Sequence, residues 1–369
     1  MSADDETRND ASSPPEPPRA QGEGAARRTI DHIKLENFTA FRHFEKSFSP
    51  GINAFIGENA TGKTHLLKLI YFACKHGGAI LTPPAALHAY FFCRFEKTWN
   101  VVNFDAKIRR ASYAVTSGEE EVECTLFDHG RQEIGYSTTE TSGHWFSAGA
   151  IPAVLIPAKE MLSHNLYFRS TYEKREIYFE KQYVDILAAA GLGPLRKVDP
   201  RIEEVLRRLE GKIGGTVVLE DEVYYLKQQD GRLLEFTLVA EGYRRLGLIW
   251  LLLRNGEIAP GTVLLWDEPE ANLNPSLIGT AIQVLLELQR IGVQVFFATH
   301  SYVALKELDL RAEKDDVVQY HGLSRKDGDI VCRSVGSLAE LEPNDILTAY
   351  SSLFDRQVER ALGGHKDEG

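Results

Sequence analysis

Several features are missing from this 369-residue chain, and each absence narrows its class. Cysteine is scarce: Cys74, Cys93, Cys124 and Cys332 lie far apart, and no pair has metal-ligand spacing. The apolar settings of Cys74 and Cys93 predict core thiols, which suits a reducing compartment. There is no run of about eighteen apolar residues, so no spanning helix and no membrane role are expected. The N-terminus lacks the apolar core of a secretory signal, and a cytoplasmic location is expected. A basic excess is lacking too: the formal charge is −11, so charge alone does not argue for nucleic acid. No sustained heptad occurs, which excludes long coiled-coil arms. Met1 to Arg28 contains no large aliphatic or aromatic residue after Met1 and reads as a disordered tail, with folded structure from Thr29 to residue 369.

What is present supports one large domain. With 43% hydrophobic residues the chain can bury a substantial core. Ile30 to Phe38 alternates apolar and polar residues as a half-buried strand does, and Phe44 to Phe48 predicts a second strand. Residues 79–150 read as a β-rich lobe, with strand candidates at Ala89–Phe95, Asn100–Phe104, Ala111–Val115, Glu121–Phe127 and Glu133–Tyr136. Residues 160–212 read as helical, broken at Gly191-Leu192-Gly193-Pro194. Thr216–Leu226 and Arg232–Val239 predict a hairpin around Gln228–Gly231. Strands near Val317–Tyr320 and Ile330–Val335 and a helix over Asn344–Leu362 follow. Asp327-Gly328-Asp329 between those strands reads as a hairpin turn rather than a metal site.

Two motifs carry chemistry. Gly57-Glu58-Asn59-Ala60-Thr61-Gly62-Lys63-Thr64 fits the phosphate-loop pattern G-x-x-x-x-G-K-[ST] in full. Gly51 to Ile56 predicts a buried strand before it, and Leu66, Leu67, Ile70, Tyr71 and Cys74 recur at helical spacing after it. In that context the loop amides and the helix N-terminus cradle phosphates, Lys63 reaches the β/γ oxygens, and the Thr64 hydroxyl ligates Mg²⁺. Gly57 to His65 are therefore the candidate nucleotide-binding residues, with ATP and Mg²⁺ as expected ligands. About two hundred residues further on, Val263-Leu264-Leu265-Trp266 ends in Asp267-Glu268. An aspartate at the end of a buried strand can hold Mg²⁺, and the next carboxylate is placed to polarise an attacking water.

Pro269-Glu270-Ala271-Asn272-Leu273-Asn274-Pro275 comes next, then a helix from about Ser276 to Ile291 and a buried strand ending in Thr299-His300-Ser301. This order resembles the ABC-class ATPases. The wording D-E-P-E-x-x-L-x-P…T-H-S is similar to the RecF/SMC branch, including compact heads of bacterial defence modules. The resemblance covers most of residues 29–305. It implies an α/β fold, a P-loop NTPase of ABC-ATPase type. A mixed central sheet would carry an antiparallel β lobe and a helical signature lobe at about 160–255, between the two motifs. It implies that Glu268 is the catalytic base, that His300 senses the γ-phosphate and that Lys63 assists. Phe41 and Arg42 would either flank the nucleotide or pack on the surface.

The signature element, which in this class acts on the ATP of the opposite subunit, is best matched by Val239-Ala240-Glu241-Gly242-Tyr243-Arg244-Arg245. Against the usual L-S-G-G-Q, only Gly242 survives; Ala240 stands for the serine. Arg244 or Arg245 is placed to reach a phosphate. No clear Q-loop glutamine follows the apolar run Pro152–Pro157; Ala158-Lys159-Glu160 stands there.

The resemblance further implies an ATP-dependent homodimer or higher oligomer controlling a DNA-linked process, either DNA repair or antiviral defence. It implies a separate effector protein such as a nuclease, since no nuclease constellation is evident in this chain. DNA is a candidate partner. However, the basic residues between Arg169 and Lys212 are interleaved with Glu173, Glu176, Glu203 and Glu204, the pattern of a solvated helix face. Two other readings stay open. One is a nucleotide-gated scaffold or sensor with very slow hydrolysis, which Ala240 favours. The other is a transporter ATPase subunit, which the degenerate signature and the two N-terminal strands disfavour.

Overall fold

The computed structural model describes residues 28–76, 84–91, 110–128, 134–140, 150–175, 179–342 and 344–362. The expected tail up to residue 27, the strand expected at Asn100–Phe104, and Cys93 lie outside them. Strands β1 (His32–Phe38), β2 (Phe41–Ser47) and β3 (Ile52–Gly57) lead into helices α1 (Lys63–His76) and α2 (Pro84–Phe91). Then come β4 (Arg110–Ser117), β5 (Glu120–Asp128), β6 (Ile134–Glu140) and β7 (Ala153–Ile156). Helices α3 (Phe168–Arg175), α4 (Lys181–Ala190) and α5 (Pro200–Ile213) precede β8 (Gly215–Glu220), β9 (Val223–Gln228) and β10 (Leu233–Glu235). The chain continues through α6 (Glu241–Arg254), β11 (Val263–Asp267), α7 (Pro275–Arg290), β12 (Gln294–Thr299) and α8 (Tyr302–Arg311). It closes with β13 (Val318–Lys326), β14 (Asp329–Val335) and α9 (Asp345–Ala361).

A six-stranded sheet in the order β14-β13-β3-β12-β11-β7 forms the centre. Its strands are parallel except for β14, so the carboxyl ends of β3, β12, β11 and β7 share one edge of the domain. Side chains alternate across it. Ile52, Ala54, Ile56, Leu264, Trp266, Val295 and Phe297 enter one core with α5, α6 and α7. Phe55, Val263, Leu265, Phe296 and Ala298 enter the other, with α1 and the antiparallel sheet β2-β1-β4-β5-β6. Burial on both faces is the reason these strands read as continuous apolar runs. A small antiparallel sheet, β10-β9-β8, packs beside α5 and α6. This is the mixed α/β architecture the sequence implies. Among the described residues, no helix is long and apolar enough to cross a membrane.

Local chemistry sets the ends of the helices. Asp199 caps α5 by accepting from the Arg201 N–H, Pro200 occupies the first turn, and Gly214 ends the helix at φ 82°. Asn274 and Pro275 do the same at the start of α7. Buried Gln294 splices the N-terminal segment to the sheet, exchanging hydrogen bonds with Ile30 at 2.8 and 2.9 Å.

Two expectations are corrected. Residues 89–91 of the expected strand Ala89–Phe95 belong to α2 instead. Pro84, Ala85, Ala86 and Leu87 favour a helical start, and Leu87 and Tyr90, three apart, bury one face. Tyr90 packs on Tyr71 and Phe72, both at 5.7 Å, and donates to Asp185 at 2.8 Å. The segment expected as one strand, Thr216–Leu226, is two strands joined at Asp221-Glu222, both with positive φ (48° and 63°). A type I′ turn requires that backbone, and no glycine announces it. Leu233–Glu235 pairs with β9 as expected, but residues 236–238 turn into a 3₁₀ helix.

His321, on β13, is wholly buried against Phe55 and Phe48 at 5.1 and 5.5 Å, with Nδ1 2.8 Å from Ser334 Oγ. Burial pushes its pKa down to about 3. The folded state thus keeps the ring neutral while the unfolded chain gains a proton near the usual value. Its contribution is full above about pH 6.5 and is lost as pH falls toward 3. His321→Gln should flatten the pH dependence of the urea midpoint between these limits. The wild type should lose up to about 1.4 kcal/mol more per pH unit.

Candidate nucleotide site

The loop between β3 and α1 is shaped by what packs behind it. Gly62 has φ 86°, and a Cβ there would come within 2.5 Å of the Phe41 ring. A Cβ on Gly57 would meet the Leu323 carbonyl of β13 at 2.3 Å. Phe41 is fully buried, so it supports the loop from below rather than packing on the surface. The Thr61 hydroxyl donates to the Glu58 carbonyl at 2.8 Å, and Arg325 Nη2 donates to the Ala60 carbonyl at 3.3 Å. Lys63 Nζ donates to the carbonyls of Gly57 and Glu58, both at 2.7 Å. Burial lowers its pKa, opposed by the carboxylates of Asp267, Glu268, Glu270 and Glu58.

Asp267 ends β11 beside this loop. The Thr64 hydroxyl donates to its carboxylate at 2.9 Å. Burial pushes the Asp267 pKa up to about 6, against the pull of Thr64, Lys68 and Lys63. Among the described residues no cluster of three or more His, Cys, Asp and Glu side chains forms a metal cage. The Thr64 hydroxyl and the Asp267 carboxylate are hard oxygen donors, a set that suits a cation taking its other oxygens from phosphate and water, as Mg²⁺ does.

Glu268 lies just past β11 with φ 51°, an uncommon backbone for a residue with a side chain. Its N–H donates to the Ala298 carbonyl at 2.9 Å, and its own carbonyl accepts from Ala271 at 3.0 Å. His300, one residue past β12, places Nδ1 3.2 Å from Glu268 Oε1. Ser301 caps α8 directly behind it. Glu270, given no role by the motif, is buried; its Oε1 accepts from the Thr299 hydroxyl at 2.6 Å and so pins the turn after Glu268 to the end of β12. Its pKa is raised, chiefly by burial.

The structure gathers Lys63, Thr64, Asp267, Glu268 and His300 at one sheet edge. Other expected positions behave differently. The His65 ring lies against Phe91 at 5.7 Å, with burial lowering its pKa to about 4. Gly242 is buried in the first turn of α6, where a Cβ would meet Leu273 and the Asn272 carbonyl at 3.0 and 3.1 Å. Both neighbouring arginines are held by partners within the chain. Arg244 pairs with buried Glu160 at 2.8 Å and donates to the Phe236 and Val239 carbonyls. Arg245 donates to the carbonyls of Glu268, at 2.9 Å, and Ala158. Both arginines thus turn to acceptors within the chain, while Tyr243 beside them is exposed. Glu160, where a glutamine was sought, turns inward to Arg244 and Ser163.

A glycine-shaped loop at the end of a parallel strand, facing an acidic pair on another, defines a nucleotide-binding core of the phosphate-loop class. Comparison with known proteins agrees. A family described as “AAA domain, putative AbiEii toxin, Type IV TA system” matches residues 138–306, and one described as “AAA ATPase domain” matches residues 29–124. A 43-residue stretch is 46% identical to the DNA replication and repair protein RecF of Lactobacillus acidophilus, covering 12% of this chain and 12% of that protein. A stretch of the same length is 49% identical to RecF of Streptococcus uberis, again 12% of each. The match thus spans about an eighth of the length of these relatives. Among solved structures, an Smc head bound to the C-terminal winged-helix domain of ScpA is 14% identical with TM-score 0.52, over 84% of this chain and 98% of that one. An Smc head bound to the C-terminal domain of ScpA derived from Pyrococcus furiosus is 12% identical with TM-score 0.51, over 89% and 100%. The chain is thus similar to AAA-domain ATPases over these two stretches, and its fold is that of the Smc heads.

The Gly62 packing is testable. Gly62→Ala adds a methyl where the Phe41 ring stands and a side chain at a left-handed backbone. It should lower stability by about 1–3 kcal/mol and weaken binding of a fluorescent ATP analogue. Phe41→Leu should partly restore both.

Proposed function

We propose that this chain binds and hydrolyses Mg-ATP, and that an ATP-dependent dimer or higher oligomer uses the cycle to control a DNA-linked process. The observation that carries this reading is the meeting of Thr64, Asp267, Glu268 and His300 beside the phosphate loop. The amides of residues 57–65 and Lys63 bind the phosphates. Thr64 and Asp267 hold Mg²⁺, which neutralises phosphate charge when bound. Glu268 takes a proton from the water that attacks the γ-phosphorus as the bond to the β-phosphate oxygen breaks. His300, within 3.2 Å of Glu268, orients that carboxylate and reads the γ-phosphate.

The DNA link is supported by the repair proteins that share the short matching stretch. A separate partner protein is supported by the ScpA domains bound to those Smc heads, and a defence role by the toxin–antitoxin link of one matching family. A cytoplasmic location fits this work. One observation favours a second reading, a nucleotide-gated scaffold or sensor. Ala240 starts α6 without a side-chain cap, so it offers an opposite nucleotide no hydroxyl at the position of the usual serine.

Steady-state ATP hydrolysis with and without duplex DNA separates the two. The ATPase reading expects turnover that DNA raises and that Glu268→Gln lowers by about a hundredfold or more, while Lys63→Ala weakens ATP binding. Tight ATP binding with turnover equal to that of Glu268→Gln, with or without DNA, would leave the scaffold.

A further inference from the structure

Arg245 lies in the second turn of α6 and is only 3% exposed. A buried guanidinium is costly to desolvate, and here its terminal nitrogens go to main-chain carbonyls. Nη1 donates to Glu268 at 2.9 Å and Nη2 to Ala158. Ala158 lies two residues past β7 and Glu268 one past β11, neighbouring parallel strands. One planar, two-pronged donor therefore staples the ends of both strands to α6, the helix that begins at Glu241.

The staple falls where the backbone needs it. Glu268 is held at φ 51°, a conformation that persists only when surroundings over-determine it. Its N–H is fixed by Ala298, and its carbonyl receives both Ala271 and Arg245. Burial lowers the guanidinium's pKa, and Glu241, Glu270, Glu160 and Glu268 oppose that pull; as an arginine it keeps its charge and donates strongly.

We propose that Arg245 is a positioning residue for Glu268. Its guanidinium sets the left-handed turn that aims the carboxylate, and it transmits movement of the α6 start to that turn. The proposal rests on the ATPase reading of Glu268. It assigns Arg245 a role within its own subunit, distinct from contact with a phosphate.

The test uses the full chain and three variants: Arg245→Met, Arg245→Lys and, as a control, Arg254→Met. Arg254 donates to the Leu195 carbonyl at the far end of the same helix. Hydrogen exchange across Glu268–Ala271, ATP affinity and single-turnover hydrolysis are measured for each. Arg245→Met should speed exchange in that turn and slow hydrolysis by about 10- to 100-fold, with ATP affinity changed less than about threefold. Arg245→Lys should fall between, since one ammonium cannot span both carbonyls in the same geometry. Adding Arg245→Met to Glu268→Gln should cost nothing further in hydrolysis, because both act through one carboxylate. Unchanged exchange in the turn overturns the proposal. So does hydrolysis falling only in step with ATP affinity, or a double variant slower than Glu268→Gln alone. A wild type no faster than Glu268→Gln would overturn the ATPase reading instead, while the exchange arm still decides whether Arg245 holds the turn.

Discussion

Burial of both faces of the six-stranded sheet is the constraint on which the rest depends. Phe55 and Phe296 must enter one core while Ala54 and Phe297 enter the other. A slip of one residue would exchange every such pair. The same registry sets Asp267 beside Ala298, Thr299 beside Ile56 and Leu323 beside Gly57. The apolar alternation thus fixes the height at which each strand ends, and with it the place where the Asp267 carboxylate meets the Thr64 hydroxyl.

At that edge, burial acts against charge. It raises Asp267 and Glu270 and lowers Lys63, so each group is pushed toward its neutral form. An opposite charge favours the charged form: phosphate would do so for Lys63, a divalent cation for Asp267. Hydrogen bonds within the chain share the task of placement. Thr299 holds Glu270, and Arg245 holds the backbone of Glu268.

The central strands, the phosphate loop and the end of β12 were legible in the sequence, because doubly buried strands are short apolar runs bounded by glycine, acid or His300. The start of α7 was expected at about Ser276, one residue late, and the turn at Asp327-Gly328 was announced by local signals. What was hidden depends on distant partners. Arg245 reaches Ala158 across 87 positions, and Gln294 reaches Ile30 across 264. No spacing rule connects such residues. The helix at α2 was masked by a run of aromatic residues that reads equally as strand. The Asp221-Glu222 turn was masked by residues that seldom adopt positive φ. The inward course of Arg244 and Arg245 was invisible because basic residues at a helix start read as exposed until their acceptors are placed.

The contact between Phe41 and Gly62 has an evolutionary side. Phe41 belongs to a strand of the antiparallel sheet and Gly62 to the loop after β3, yet the ring of one fills the space that a side chain on the other would need. A side chain at 62 is strained by the left-handed backbone whatever stands at 41, and an aromatic at 41 also closes the space for it. Inheritance at the phosphate loop is thereby tied to a strand that carries none of its chemistry.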